Sequence, residues 1–113
     1  MSAYLDDSIG GAITLIFGAM REKAVDEIAA ILWPRANKVI LTRPSNSRAL
    51  TAEELSRARP ESVKEGNIIK TETVTEAIER ARADTPENGV IVVTGSLYLV
   101  GEVRRSLVAS RTI

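Results

Sequence analysis

The chain has 113 residues, of which 44% are hydrophobic and 4% aromatic, and its fifteen basic residues balance fifteen acidic ones. This length suits one domain with an aliphatic core, and the neutral balance argues against a broad electrostatic surface for nucleic acid or for an anionic membrane. Cysteine and histidine are both absent, which excludes disulfides, thiol nucleophiles, cysteine metal sites and the commonest general base near neutral pH.

The first predicted elements are a buried strand and an amphipathic helix. Residues 12–17, "AITLIF", form a short apolar run that ends before Gly18, which is typical of a buried strand. Residues 21–32 predict a helix that ends before Pro34, because the proline ring clashes with the preceding turn. Its apolar positions recur at the spacing of one helix face: Val25, Ile28, Ala29 and Leu32.

A second strand and a short helix follow. Residues 38–42, "KVILT", predict the strand, and a polar loop occupies residues 43–48. Thr51 and Glu54 predict a capping box, in which each side chain satisfies the free backbone N–H of the other, at the start of the helix. After another polar loop, residues 67–71 predict a third strand.

The last third of the chain repeats the alternation. Thr73 and Glu76 predict a second capping box, before a helix whose apolar stripe is Val74, Ala77, Ile78 and Ala81. Residues 90–94, "VIVVT", predict the last strand. A final helix is predicted over residues 96–109, with Gly101 allowing it to press against the sheet. Its inward positions are predicted as Val100, Val103 and Leu107.

This order predicts a doubly wound α/β domain with a mostly parallel sheet. Strands that are separated by helices must cross over, and they therefore run parallel. Their nearly continuous apolar character indicates that helices cover both faces of the sheet.

The first residues predict the end of a further helix, with Gly10 and Gly11 as its stop. Its apolar positions are Ala3, Tyr4, Leu5 and Ile9. We therefore expect the domain plan to begin upstream of this chain, so that the domain is truncated at its N-terminus. No apolar stretch approaches the ~20 residues that cross a bilayer, and the first residues lack the pattern of a secretion signal, so we expect a cytoplasmic protein without membrane or nucleic-acid partners.

Candidate binding residues follow the predicted strands, whose carboxyl ends meet at the ligand-binding edge of such a sheet. Gly95 permits a sharp turn after the last strand, and Ser96 is placed to cap the final helix. These residues leave open whether Ser96 also contacts a ligand. The cations after the first two strands are solvated residues or partners of a carboxylate or phosphate: Arg21, Lys23, Arg43 and Arg48. No phosphate-loop or dinucleotide signature is present.

Three segments resemble a known family. They are residues 15–28 ("LIFGAMREKAVDEI"), 39–55 ("VILTRPSNSRALTAEEL") and 92–104 ("VVTGSLYLVGEVR"). They are similar to the C-terminal domain of folylpolyglutamate synthase and dihydrofolate synthase, in the Mur ligase superfamily. The similarity extends over residues 12–108, and the last segment is the most specific part. It implies a Rossmann-like Mur ligase C-terminal domain over residues 1–113.

The resemblance also implies a function. Such enzymes use ATP to activate folate or dihydropteroate as an acyl phosphate, which the amino group of glutamate attacks. A central domain carries the phosphate loop and the magnesium ligands, and the C-terminal domain closes over ATP and presents glutamate. By this resemblance Lys23 and Ser96 would hold the carboxylate of glutamate, and we place Gly95 and Arg43 in the same binding site.

The chain also departs from the family pattern. It has no histidine, so the D-G-A-H-N-P motif is absent, as is the central ATPase domain. The two acids that flank the family's lysine are replaced by Glu22 and Ala24. We therefore expect an isolated chain that is inactive, with no catalytic residue, metal ligand or cofactor of its own, and whose partner is the missing central domain. The alternative is a non-catalytic α/β binding or interaction module derived from that fold.

Overall fold

A computed structural model describes residues 12–111, except the side chains of Leu97 and of residues 106–111. Its four strands are Ile13–Phe17 (β1), Lys38–Leu41 (β2), Ile68–Lys70 (β3) and Val90–Thr94 (β4). Its four α-helices are Val25–Leu32 (α1), Ala52–Ser56 (α2), Val74–Asp84 (α3) and Leu97–Arg111 (α4). The predicted helix end over residues 1–9 lies outside the described residues. None of the described helices combines the length and apolar character that a membrane crossing requires.

The strands form one sheet in the order β3-β2-β1-β4, and every pairing within it is parallel. Leu15 in β1 lies opposite Val39 in β2 and Val92 in β4, so β1 is hydrogen-bonded on both sides. The prediction of a parallel, doubly wound sheet is confirmed. Because all four strands run the same way, their carboxyl ends lie along one edge of the domain.

Helices cover both faces of the sheet, as the apolar strands predicted. On the face of α1 and α2, the core includes Leu15, Phe17, Ala29, Trp33, Val39 and Leu55. On the face of α3 and α4, it includes Ile16, Ile40, Ala77, Ala81, Leu99 and Val103. The Phe17 and Trp33 rings pack edge to face, with their centroids 5.5 Å apart.

The helix α1 begins later than predicted, at Val25 instead of residue 21. The preceding segment is held by the loop after β2, because the Arg21 N–H donates to the Arg48 carbonyl (2.9 Å) and Met20 forms an antiparallel bridge with Ala49. The Met20 carbonyl accepts from the Lys23 N–H at 3.1 Å, so residues 20–23 close a tight turn instead of the first turn of a helix. The predicted stop before Pro34 is confirmed, since α1 ends at Leu32.

The two predicted capping boxes have different outcomes. At α2 the box is complete, because Thr51 accepts from the Glu54 N–H and Glu54 accepts from the Thr51 N–H. At α3 Thr73 accepts from the Glu76 N–H, but the Glu76 carboxylate accepts from the Glu72 N–H at 3.0 Å. The prediction of a second capping box was therefore wrong in one of its two bonds. The Glu76 carboxylate accepts from the N–H of Glu72 and not from that of Thr73.

The helix α4 presents a different face to the sheet than predicted. Val103 is buried, but Val100 is 41% exposed and Leu99 fills the inward position. Leu99 packs beside Gly18, and Val103, four residues later on the same side of the helix, packs in the same core cluster. A Cβ on Gly101 would meet only Arg105, so Gly101 does not bring α4 close to the sheet. The side chain of Leu107 lies outside the described residues.

Two glycines allow the turns after β1, β2 and β4 to touch. Gly95 has a φ of 113°, and a Cβ there would overlap the carbonyl of Gly18. A Cβ on Gly18 would lie 2.9 Å from the Thr42 carbonyl oxygen, 3.1 Å from Pro44 and 3.2 Å from Leu99. Neither position accommodates a side chain, so glycine determines how closely these turns approach.

Ion pairs fasten the segment after β1 to its neighbours. Arg21 pairs with Glu54 at 3.1 Å, and Arg48 pairs with Glu22. The hydrogen bond from the Thr51 N–H, together with Arg21, lowers the pKa of the Glu54 carboxyl below its ordinary value. The hydrogen bond from Arg48 lowers the pKa of Glu22 in the same way. Glu22 is exposed and the Glu54 side chain is about one-third exposed, so water screens both pairs and each contributes little by itself.

We predict that Gly95→Ala destabilises the domain by more than about 2 kcal/mol, because the new methyl group meets both a forbidden φ and the Gly18 carbonyl. Urea denaturation measures the loss. Gly66→Ala is the matched control, since a Cβ there meets no atom within 4 Å, and we expect it to change stability by less than about 1 kcal/mol. Equal effects of the two variants would contradict this account of the turn.

We also predict that acid destabilises the domain partly through Glu54. Its folded pKa lies below 4.5, its ordinary value, so the stabilisation is complete above that pH. It is lost as the pH falls through the folded pKa, where the unfolded chain binds more protons. Urea denaturation from neutral pH to about pH 3 should show a shallower acid loss for Glu54→Gln than for the wild type. Glu79→Gln, on the exposed side of α3, should keep the wild-type profile, and an unchanged profile for Glu54→Gln would refute the prediction.

Candidate functional site

The candidate site lies at the carboxyl edge of the sheet, where the turns after β1, β2 and β4 meet. The Gly18 N–H donates to the Thr94 carbonyl at 3.4 Å, and the Thr42 N–H donates to the Phe17 carbonyl at 3.0 Å. The backbone therefore connects the ends of all three strands. In parallel α/β sheets this edge presents backbone donors and helix N-termini to ligands.

Ser96 occupies the turn between β4 and α4 and is 7% exposed. Its Oγ accepts from the N–H groups of Tyr98 (3.1 Å) and Leu99 (3.5 Å), so the predicted cap of α4 is confirmed. A hydroxyl that accepts in this way retains its own proton for donation. The positive end of the helix dipole favours an anionic acceptor at that position. Gly95, directly before it, sets the direction of the turn.

Arg43 lies in the exposed part of the loop after β2 and lines two cavities. The larger, about 570 Å³, lies beside α2 and the end of β3, and Lys70 and Thr71 contribute to it. The other, about 460 Å³, lies at the N-terminus of α3 and includes Thr73 and Glu102. Arg43 makes no hydrogen bond or ion pair with any residue that the structure describes. Its guanidinium is therefore available to an anion in either cavity.

The second cation in the larger cavity is already neutralised. Lys70 pairs with Glu53 at 2.8 Å, and the hydrogen bond from this lysine lowers the pKa of the Glu53 carboxyl below its ordinary value. Glu72 lines both cavities and, within the described part of the chain, has no ion pair. Among the described residues that line the two cavities, Arg43 is the one cation without an ion pair, and Glu72 and Glu102 are the anions without one.

Lys23 lies in the turn before α1 and lines a third cavity, of about 490 Å³, between α1 and α2. That cavity belongs to the face of the sheet opposite α4, and Ser96 does not line it. The physical reason is the pairing of Met20 with Ala49, which draws this connection toward the loop after β2. The structure therefore brings Ser96 and Gly95 together, puts Arg43 in the neighbouring turn, and leaves Lys23 in a separate cavity.

Sequence reasoning missed Glu102. This residue of α4 accepts from the Ser45 N–H at 2.7 Å and from the Ser45 hydroxyl at 2.9 Å. Both oxygens of the carboxylate are therefore bonded to the residue two places after Arg43. The contact joins positions 57 residues apart, and no local spacing signals such a contact.

Comparison with known proteins identifies the family. Residues 2–97 match the family model of the glutamate ligase domain of Mur ligases. A Haloferax volcanii protein, described as a probable bifunctional folylpolyglutamate synthase/dihydropteroate synthase, is 31% identical over 108 residues. This match covers 92% of the chain but 12% of that protein. The chain therefore spans a small part of the curated relative's length.

Solved structures show the same relationship. Mycobacterium tuberculosis folylpolyglutamate synthase, complexed with ADP and AMPPCP, is 29% identical with a TM-score of 0.71, over 84% of this chain and 23% of that one. E. coli FolC in complex with ADP has a TM-score of 0.82 at 22% identity, over 99% of this chain and 27% of that one, and supports the fold alone. This chain belongs to the Mur ligase family, as a C-terminal, glutamate ligase domain of the folylpolyglutamate synthase type.

Proposed function

We propose that this chain is the glutamate-presenting domain of an ATP-dependent amide ligase that joins the amino group of glutamate to a carboxylate of folate or dihydropteroate. Family membership and the activities named for the relatives support this reaction. The chain supplies binding residues and no catalytic residue, and its partner is a central ATPase domain. It acts in folate metabolism in the cytoplasm.

The observation that carries the proposal is the turn formed by Gly95 and Ser96. The cap bonds use the acceptor side of the Ser96 hydroxyl, which leaves its proton for a carboxylate oxygen of glutamate. The N-terminus of α4 stabilises the same negative charge. A hydrogen bond to a charged group contributes roughly 1.5–3 kcal/mol, enough to select a carboxylate over a neutral group.

Arg43 and Lys23 supply the positive charge that glutamate, with two carboxylates, requires. Gly18 lies against both Pro44 and Leu99, so the turn that carries Arg43 packs beside the start of α4. Arg43 is therefore the better placed of the two cations to bind the second carboxylate together with Ser96. In this proposal Lys23, which lies in a separate cavity, attracts the carboxylates of glutamate at longer range.

ATP and magnesium belong to the complete enzyme in this proposal, since ADP and AMPPCP are bound in the Mycobacterium tuberculosis relative. The described residues contain no cluster of three histidine, cysteine, aspartate or glutamate side chains. Magnesium sites depend on carboxylate oxygens, and a phosphate loop depends on a glycine-rich signature that this sequence lacks. These residues do not fit a nucleotide–magnesium centre, and we assign no step of the nucleotide chemistry to them.

We predict that glutamate at millimolar concentration shifts amide NMR signals near Ser96 and Arg43, and that Ser96→Ala weakens this binding by about tenfold or more. Losing the cap also costs about 0.5–2 kcal/mol of stability. Thr85→Ala is the matched control, because the Thr85 hydroxyl donates to that of Thr14 at 2.6 Å at the other end of α3, and Thr85 lines neither of the cavities that contain Arg43. It should cost similar stability and leave glutamate affinity unchanged.

A second variant separates capping from ligand binding. Aspartate is a good N-cap, so Ser96→Asp should keep α4 capped while its negative charge repels the carboxylate and removes the glutamate response. If Ser96→Asp binds glutamate as well as the wild type does, Ser96 is not a ligand contact. If the wild type gives no shifts at all, the proposal fails and the non-catalytic interaction module is favoured.

A further inference from the structure

One face of α4 contacts the turns that follow β1, β2 and β4 at the carboxyl edge of the sheet. Ser96, Leu99 and Glu102 follow one another at three-residue steps, so they lie on one side of the helix. Ser96 caps the helix, Leu99 is fully buried beside Gly18, and Glu102 bonds the loop after β2. The same helix therefore contacts two of the turns that carry proposed glutamate-binding residues.

The contact between Glu102 and Ser45 lies at the surface, but it restrains the loop after β2 through two hydrogen bonds. Both carboxylate oxygens accept from one residue, at 2.7 Å from the backbone N–H and 2.9 Å from the hydroxyl. Charge-assisted bonds of this kind are about twice as strong as neutral ones, and two bonds to one residue also fix its orientation. Ser45 is thus held both by its backbone and by its side chain.

The neighbouring residue holds the loop from the other side. Pro44 is buried and packs beside Gly18. Its ring also fixes its own φ, which restrains the backbone at this position. Arg43 directly precedes Pro44 and Ser45, so its backbone continues into a restrained segment while its side chain remains exposed. A binding side chain on a restrained backbone loses less conformational entropy when a ligand binds.

We propose that Glu102 is a positioning residue that fixes the loop after β2 to α4, so that Arg43 and Ser96 are held as one binding edge for glutamate. The inference rests on the proposed function and deepens it. Glu102 does not itself contact the ligand, because both of its oxygens are bonded to Ser45 and a carboxylate there repels those of glutamate. Its contribution to affinity acts through Arg43.

The first test measures loop restraint without any ligand, by amide hydrogen exchange in the chain. Glu102→Ala should raise the exchange rate of the Ser45 amide by about tenfold or more, with the amides of β1 and β2 unchanged. Glu102→Gln keeps one acceptor oxygen and should give a smaller increase. An unchanged Ser45 rate overturns the proposal, and so does an equal increase throughout the sheet, which would mean that Glu102 only stabilises the fold.

The second test measures glutamate affinity by NMR titration. Glu102→Ala should raise the dissociation constant about tenfold, and Glu102→Gln should restore part of the affinity. Glu79→Ala, an exposed glutamate without a partner in the described part of α3 or its surroundings, is the matched control and should have no effect. Ser45→Ala combined with Glu102→Ala should weaken binding no more than Glu102→Ala alone, since Glu102→Ala already removes both bonds to Ser45.

The outcomes separate the two proposals. If Glu102→Ala frees the Ser45 amide but leaves glutamate affinity at the wild-type value, Glu102 has no positioning role and the inference is overturned. If the wild type itself does not respond to glutamate, the proposed function fails. The part of the inference that concerns glutamate affinity then fails with it. The exchange measurement then still decides whether Glu102 fixes the loop.

Discussion

The close approach of three backbone turns at the carboxyl edge is the constraint on which the rest of the structure depends. β1 pairs with β2 on one side and β4 on the other, so three chain segments leave the sheet within a few ångströms of one another. Side chains at Gly18 or Gly95 would occupy space that the neighbouring carbonyl groups already fill. The glycines allow parallel pairing to continue to the ends of the strands, and this brings the cap of α4 beside the loop that carries Arg43.

The two faces of the sheet divide the proposed binding residues. The connection after β1 bends toward the loop after β2 and delivers Lys23 to the side of α1 and α2. The connection after β4 turns to the opposite side, where α4 begins with Ser96 at its cap. Arg43 follows β2, and the two cavities that it lines extend to α2 on one face of the sheet and to the N-terminus of α3 on the other. A ligand at this edge thus contacts residues from separate layers, whose relative positions the sheet sets.

Sequence reasoning succeeded where the determining interaction is local. Continuous apolar runs predicted all four strands, and apolar periodicity predicted the inward stripe of α3. The spacing of Thr51 and Glu54 and the position of Ser96 after the last strand predicted the two caps. It failed where a distant group competes. Met20 pairs with Ala49 in the loop after β2 and the chain then makes a tight turn, so α1 begins only at Val25. Glu102 likewise bonds a serine 57 residues away. The choice of Leu99 over Val100 depended on the packing of Leu99 beside Gly18, in a turn far away in the sequence.

The single tryptophan has a practical consequence for studying this edge. Trp33 is completely buried and packs against Phe17, the only phenylalanine, which directly precedes Gly18. Indole emission is sensitive to contact with water, so its wavelength reports whether the layer formed by β1 and α1 is intact. The carboxyl edge contains no indole group among its described residues. Tryptophan fluorescence therefore follows the loss of the core, and it is insensitive to rearrangements of the loops that leave the core packed.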